Sequence, residues 1–132
     1  MIVLDASAIV ELLLGTPRGR TVAARIADPS LGLNVPHLAD VEVAQALRRY
    51  EREGQIDADE ARSAIDTLEA LDLERHSHEP LLRRAWALRE NLTAYDAVYV
   101  ALAEALGAKV LTCDGRLARA PGLGRRVELV EV

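Results

Sequence analysis

Short apolar runs alternate with longer stretches of mixed character along the chain, and this alternation predicts strands and helices in turn. The runs are three to five residues long and end in polar or turn residues, which is typical of buried strands in a parallel sheet. Predicted strands occupy residues 2–4, 31–35, 73–75, 109–112 and 127–130.

The segments between these strands carry signals for helix starts. Thr16 before Pro17, and Thr93 before a long apolar stretch, are predicted N-caps, and Ser7 is assigned the same role for the first helix. Predicted helices occupy residues 7–14, 17–28, 36–53, 57–71, 80–89 and 94–106, and a short turn or helix follows residue 114.

This order of elements favours one fold class. Strands that alternate with helices predict a three-layer α/β/α domain around a central, mainly parallel sheet. The chain shows no internal repeat, linker or low-complexity segment, and its 132 residues suit a single domain. We therefore expect residues 1–132 to form one domain.

Composition excludes several classes of protein. No apolar run approaches the roughly 20 residues needed to cross a bilayer, and the amino-terminal stretch carries Asp5 and Glu11 where a signal peptide would be uncharged. Cys113 is the only cysteine, so an internal disulfide and a thiolate zinc site are excluded. We expect a cytoplasmic protein that does not enter a membrane.

The net charge of −5 argues at first against a nucleic-acid partner. The chain has 21 acidic and 16 basic residues, and four of the acids are candidate site residues. Without those four, the chain has 17 acidic and 16 basic residues, so the remaining charge is nearly balanced. Divalent cations bound at the site would also reverse the local field.

Two of the candidate acids follow predicted strands. Asp5 comes directly after the run 2–4, and Asp114 comes just after the run 109–112. Sites in open α/β sheets form at the carboxyl ends of the strands, where both side chains are expected. Aspartate is also a common turn residue after a strand, so either residue alone is a weak signal.

The other two candidates lie on predicted helices. Asp96 interrupts an apolar helix that is predicted to be buried, where a charge needs a partner. A capping box with Thr93 is the alternative explanation for Asp96. Glu42 lies beside the apolar stripe of the helix 36–53, although glutamate is also common on solvated helix faces.

The argument for a site comes from the four acids together. Two like charges about 4 Å apart repel by about 4 kcal/mol at an effective dielectric of 20. Mg²⁺ or Mn²⁺ would offset this repulsion, since both prefer oxygen ligands, and His76 and His78 have no third ligand nearby for zinc. Such ions activate water and stabilise the charges of phosphodiester hydrolysis.

Four segments of the chain also match a known family. The chain resembles the PIN-domain ribonucleases, and among them the VapC-type toxins of bacterial toxin–antitoxin pairs, over essentially its whole length. The matching segments are residues 2–8 with the pattern D-x-S-A, Glu42 in the helix entered through Pro36, residues 92–101 and residues 111–117. Ala120-Pro121-Gly122 and the last strand follow the fourth segment.

The resemblance implies a Mg²⁺- or Mn²⁺-dependent endoribonuclease. It carries Asp5, Glu42, Asp96 and Asp114 over as the metal-site acids, and Ser7 and Thr112 as residues that hydrogen-bond to them. We expect Asp5 and Asp96 to anchor one metal, while Glu42 and Asp114 complete its outer coordination or hold a second ion. Some relatives have a further acid after the fourth motif, where this chain has Arg116, so the number of ions stays open.

The resemblance also implies partners. It predicts a homodimer, a cognate antitoxin and an RNA substrate. The apolar runs 9–14 and 41–47 are candidate antitoxin surfaces, although such runs are more often core. Candidates for contact with the RNA backbone are Arg48, Arg49, Arg52, Arg83, Arg84, Arg116 and Arg119.

Two other functions fit parts of the pattern. The first is a PIN-like module that binds RNA or protein without cleaving it, and the presence of all four acids argues against it. The second is an aspartate-nucleophile phosphatase, but such enzymes carry D-x-D after the first strand, whereas Ser7 occupies the third position here.

Overall fold

The centre of the molecule is a five-stranded parallel sheet, seen in a computed structural model that describes residues 1–131. The strand order is β3-β2-β1-β4-β5, so the first strand lies in the middle. β1 pairs with β4 in the register Leu4 to Leu111. The strands are β1 (Ile2–Leu4), β2 (Leu33–Pro36), β3 (Glu74–His76), β4 (Lys109–Thr112) and β5 (Val127–Leu129).

Helices connect the strands and cover the sheet. Two short 3₁₀ segments, Glu79–Leu81 and Gly124–Arg126, precede α5 and β5. The helices are α1 (Ala6–Leu14), α2 (Pro17–Arg25), α3 (Leu38–Arg52), α4 (Ala58–Ala70), α5 (Leu82–Ala87), α6 (Ala94–Leu106) and α7 (Gly115–Ala118). This arrangement confirms the predicted α/β/α fold class.

Burial of β1, β4 and α6 defines the core. Every residue of β1 is buried, and in β4 only Lys109 is exposed. Seven consecutive residues of α6, from Ala97 to Ala103, are buried around the whole helix, which packs across β1, β2 and β4. The amino end of α6 therefore lies in fixed relation to the ends of the central strands.

Several element boundaries differ from the prediction. Asp5, and not Ser7, is the N-cap of α1, because the Asp5 carboxylate accepts the bond from the Ala8 N–H. Pro36 ends β2, and α3 begins at Leu38. β3 includes His76, whose ring pairs with buried Asn34 at 2.9 Å, so His76 is a sheet residue and not part of a loop.

Part of each candidate antitoxin run lies in the core. Ile9 and Val10 in α1 and Val43 and Leu47 in α3 are buried, whereas Val41 is 67% exposed. None of the helices formed by residues 1–131 has the length and apolar character needed to cross a membrane.

Close packing of α1 on α2 depends on one glycine. A Cβ at Gly19 would lie 1.9 Å from the carbonyl oxygen of Glu11, which is backbone that cannot turn aside. The two helices approach this closely only because Gly19 has no side chain.

We predict that Gly19→Ala lowers the free energy of unfolding by about 1–3 kcal/mol, because overpacking forces α1 and α2 apart. Gly32→Ala is the control, since a Cβ there meets nothing closer than 3.6 Å. Urea unfolding of both variants measures the difference, and equal midpoints would contradict the packing argument.

Candidate active site

The candidate site lies where the two central strands end. Asp5 follows β1 directly, and Asp114 follows Thr112, the last residue of β4. Because β1 and β4 are parallel neighbours, their carboxyl ends meet at one edge of the sheet. The Asp5 N–H donates to the carbonyl oxygen of Leu111 at 3.2 Å, which joins the two strand ends.

The Asp5 carboxylate is buried and held by three donors. Only 6% of the residue is exposed. Its Oδ1 accepts bonds from Ser7 Oγ at 2.7 Å and from the Ala8 N–H at 3.0 Å, and its Oδ2 accepts one from Thr112 Oγ1 at 2.5 Å. A carboxylate oxygen accepts about two bonds, so Oδ2 retains a lone pair for a further ligand.

The same two hydroxyls also order the chain around Asp114. Ser7 Oγ accepts the N–H of Cys113 at 2.9 Å, and Thr112 Oγ1 accepts the N–H of Asp114 at 2.9 Å. The backbone that carries Asp114 is therefore tied to the residues that hold Asp5. The D-x-S and T-x-D patterns form one hydrogen-bonded unit.

Glu42 reaches the site from α3. Its Oε1 accepts a bond of 2.6 Å from the hydroxyl of Tyr99, which lies on α6 and is 1% exposed. This bond fixes the orientation of a partly buried carboxylate. Burial and the neighbouring Glu42 raise the pKa of Tyr99, so its hydroxyl stays a proton donor.

Asp96 lies in the first turn of α6, three residues before Tyr99. Its N–H donates to Thr93 Oγ1 at 3.1 Å, which is one half of the capping box that the sequence allowed. The reciprocal bond from the Thr93 N–H is absent from residues 1–131, so the box is incomplete.

Burial and like charges raise the pKa values of three site acids. Desolvation raises the pKa of Asp5 to about 6. The hydrogen bonds from Thr112, Ser7 and Ala8 lower this pKa, and the charge of Asp114 raises it further. Desolvation also raises the pKa of Glu42, with a further contribution from Asp96.

Asp96 and Arg116 complete this electrostatic picture. Desolvation raises the pKa of Asp96 and the charge of Asp114 raises it further, while the Arg116 guanidinium opposes the shift. Arg116 Nη2 lies 3.3 Å from Asp114 Oδ2, so one cation already faces the acids.

The four predicted acids therefore lie at one end of the sheet and interact through their charges. Asp5 interacts with Asp114, Asp114 with Asp96, and Asp96 with Glu42. In the part of the chain that the structure describes, no three acidic, histidine or cysteine side chains are close enough to form a ready metal-binding group.

The donor set nevertheless suits a hard divalent cation. The site offers carboxylate oxygens, and Asp5 Oδ2 has a lone pair available. Burial disfavours the negative charge of this carboxylate. A divalent cation would offset that cost and the repulsion among the acids. The residues fit Mg²⁺ or Mn²⁺ in kind, and binding would draw the carboxylates closer together.

Sequence reasoning missed Tyr99. The signal was available, because a tyrosine in a helix that is otherwise buried and apolar needs a partner for its hydroxyl. Tyr99 lies one turn after Asp96, so it faces the same end of the sheet.

Comparison with known proteins gives consistent matches. A model of the PIN domain family matches residues 2–123. Ribonuclease VapC1 of Mycobacterium tuberculosis is 45% identical over 129 residues, which cover 97% of this chain and 96% of that protein.

Two solved structures share the fold at lower sequence identity. A toxin–antitoxin complex from Klebsiella pneumoniae has a TM-score of 0.67 at 16% identity and covers 99% of this chain and 98% of its own. VapC20 of Mycobacterium tuberculosis, described as a sarcin-ricin loop cleaving toxin, has a TM-score of 0.66 at 16% identity, covering 89% and 93%.

The raised pKa of Asp5 makes stability depend on pH. The folded chain binds a proton at Asp5 up to about pH 6, whereas the unfolded chain releases it near 3.8, so the free energy of unfolding falls as the pH rises between these values. A shift of this size corresponds to about 3 kcal/mol. We predict that Asp5→Asn, which cannot ionise, gains about that much relative to the unmodified chain between pH 4 and pH 7.

Urea unfolding in EDTA at several pH values measures this gain, because the chelator removes any cation that would favour the ionised form. A stability difference that stays constant with pH would show that the Asp5 pKa is not raised.

Proposed function

The chain belongs to the PIN-domain family, and from that membership we propose that it is a Mg²⁺- or Mn²⁺-dependent endoribonuclease that acts as the toxin of a toxin–antitoxin pair. The observation that carries the proposal is the buried Asp5 carboxylate, whose Oδ2 keeps a lone pair available beside the other acids. Its three hydrogen bonds leave part of the desolvation cost uncompensated, since its pKa is still raised, and no cationic side chain among residues 1–131 pairs with it.

Four carboxylates would hold the metal. Asp5 and Asp96 are its proposed anchors, and Glu42 and Asp114 complete the outer coordination or hold a second ion. A bound divalent cation supplies charge neutralisation for a phosphodiester oxygen and lowers the pKa of a coordinated water.

The protein's own residues orient this site. Thr112 and Ser7 fix the plane of the Asp5 carboxylate, and Tyr99 fixes Glu42. Partial burial of the acids limits the access of bulk water, which strengthens their interaction with a cation. RNA phosphates would approach past Arg116, whose side chain is 83% exposed and reduces the repulsion from Asp114.

The proposed partners follow from the family. Toxins of this kind act with a cognate antitoxin, and the Klebsiella neighbour is a toxin–antitoxin complex. We expect this chain to bind its own antitoxin, to form a homodimer and to act in the cytoplasm. Val41, exposed on α3 beside Glu42, is a large apolar residue of the run 41–47 that is accessible for such contacts.

One observation favours a second function. The acids within residues 1–131 do not form a closed metal-binding group. The same would be expected of a non-catalytic binding module. Titration with Mn²⁺ separates the two functions, since the nuclease must bind the ion at Asp5 and the module need not.

We predict that the purified chain cleaves RNA with Mg²⁺ or Mn²⁺ and is inactive in EDTA. Asp5→Asn should lower the cleavage rate by more than about 100-fold, beyond the effect typical of residues that only support metal ligands. The control is Asp66→Asn, an exposed acid on α4. Activity of Asp5→Asn equal to that of the control would contradict the site assignment.

Tyr99→Phe tests the support of Glu42. The variant keeps the buried ring and removes only the hydroxyl that donates to Glu42 Oε1. We predict a loss of about 10–100-fold in metal affinity or activity. Tyr50→Phe, on a ring outside the acid site, should have no such effect, and equal metal affinities for the two variants would exclude this role of Tyr99.

A further inference from the structure

An open cleft of about 450 Å³ lies beside the backbone that carries Asp114, because Cys113 and Gly115, the two neighbours of Asp114, are part of its lining. Arg18 of α2, Arg119 after α7 and residues 129–131 complete the lining. The cleft and the acid site thus share one short stretch of chain.

The cleft carries positive charge that the fold does not neutralise. Arg25, Arg75, Arg84 and Arg116 each form an ion pair, whereas neither Arg18 nor Arg119 does so among residues 1–131. Both side chains are exposed. Among the described residues that line the cleft, Glu131 is the only acid, whereas Arg18 and Arg119 are both basic.

Neither Cys113 nor Gly115 carries an acidic side chain, although the charges of Glu11 and Asp5 act on Cys113 together with that of Arg18. Gly115 leaves room for the Arg119 guanidinium, because a Cβ at residue 115 would lie 2.6 Å from Arg119 Nη1. The Arg119 guanidinium therefore lies close to the backbone next to Asp114.

We propose that this cleft, through Arg18 and Arg119, binds a phosphate of the RNA strand that adjoins the phosphodiester held at the acid site. Guanidinium groups bind phosphate oxygens through paired N–H bonds, and neither group has to break an ion pair among the described residues to do so. Arg116, which follows Gly115 in the chain, adds an exposed guanidinium beside Asp114.

This inference rests on the proposed function for the identity of the ligand, but its test does not require cleavage. A fluorescently labelled single-stranded oligoribonucleotide is titrated with the protein in EDTA at several salt concentrations, and fluorescence anisotropy gives the affinity. Each phosphate contact contributes about 0.7 to the slope of log K against log salt for a single strand.

The double variant Arg18→Ala with Arg119→Ala should lower this slope by about 0.7, the contribution of one phosphate contact, and Arg119→Ala alone should lower it by part of that amount. Arg119→Lys should restore most of the slope, because it keeps the charge. Arg62→Ala, which removes an exposed arginine on α4, is the control and should leave the slope unchanged.

The proposal would be overturned if the double variant and Arg62→Ala gave the same slope. It would also be overturned if the unmodified chain did not bind RNA. If the slopes change as expected but no cleavage occurs with any metal, phosphate binding by the cleft is supported and the proposed nuclease function is contradicted. In an active enzyme, the double variant should raise KM and leave kcat unchanged, whereas damage to the acid site would lower kcat.

Discussion

The Asp5 carboxylate is buried at the point where β1 and β4 end, and the arrangement of the site depends on how it is held. A buried charge is costly unless donors or a cation compensate it. Ser7, Ala8 and Thr112 supply the donors, and their bonds connect α1, β1 and β4. Because the same hydroxyls hold the backbone at Asp114, any change that moves Asp5 also moves the second acid. The remaining desolvation cost, which raises the pKa of Asp5, is a cost that a bound cation would offset.

Much of this arrangement could be predicted from local patterns. Asp5 and Asp114 follow short apolar runs, and strands of this kind end at one edge of a parallel sheet, so their proximity follows from topology. The apolar sequence around Asp96 likewise predicted a buried helix, and seven residues of α6 do lie in the core. Features that depend on tertiary contact were not predictable from the same patterns. Tyr99 meets Glu42 only because α3 and α6 approach the same strand ends, and no local spacing encodes that distance.

The assignment of the first N-cap shows the same limit. Serine and aspartate are equally good caps, so capping preference could not decide between Ser7 and Asp5, and the predicted N-cap Ser7 is wrong. In the structure Asp5 caps the helix with Oδ1, while Ser7 donates to that same oxygen. One carboxylate therefore has both a structural and a proposed catalytic role, so the proposed metal binding would be coupled to stability at this residue. Arg18 in the basic cleft was missed for a related reason, because α2 approaches the end of β4 only in the folded chain.

The most direct test of the metal site is a crystal structure of the unmodified chain grown with Mn²⁺, with the ion located by its anomalous scattering. The account predicts an anomalous peak about 2.0–2.3 Å from Asp5 Oδ2, with Asp96 drawn toward it and Asp114 or Glu42 nearby, since hard cations bind carboxylate oxygens at about these distances. A fully loaded crystal with no peak at Asp5, or with Mn²⁺ only at acids outside this edge of the sheet, would contradict it.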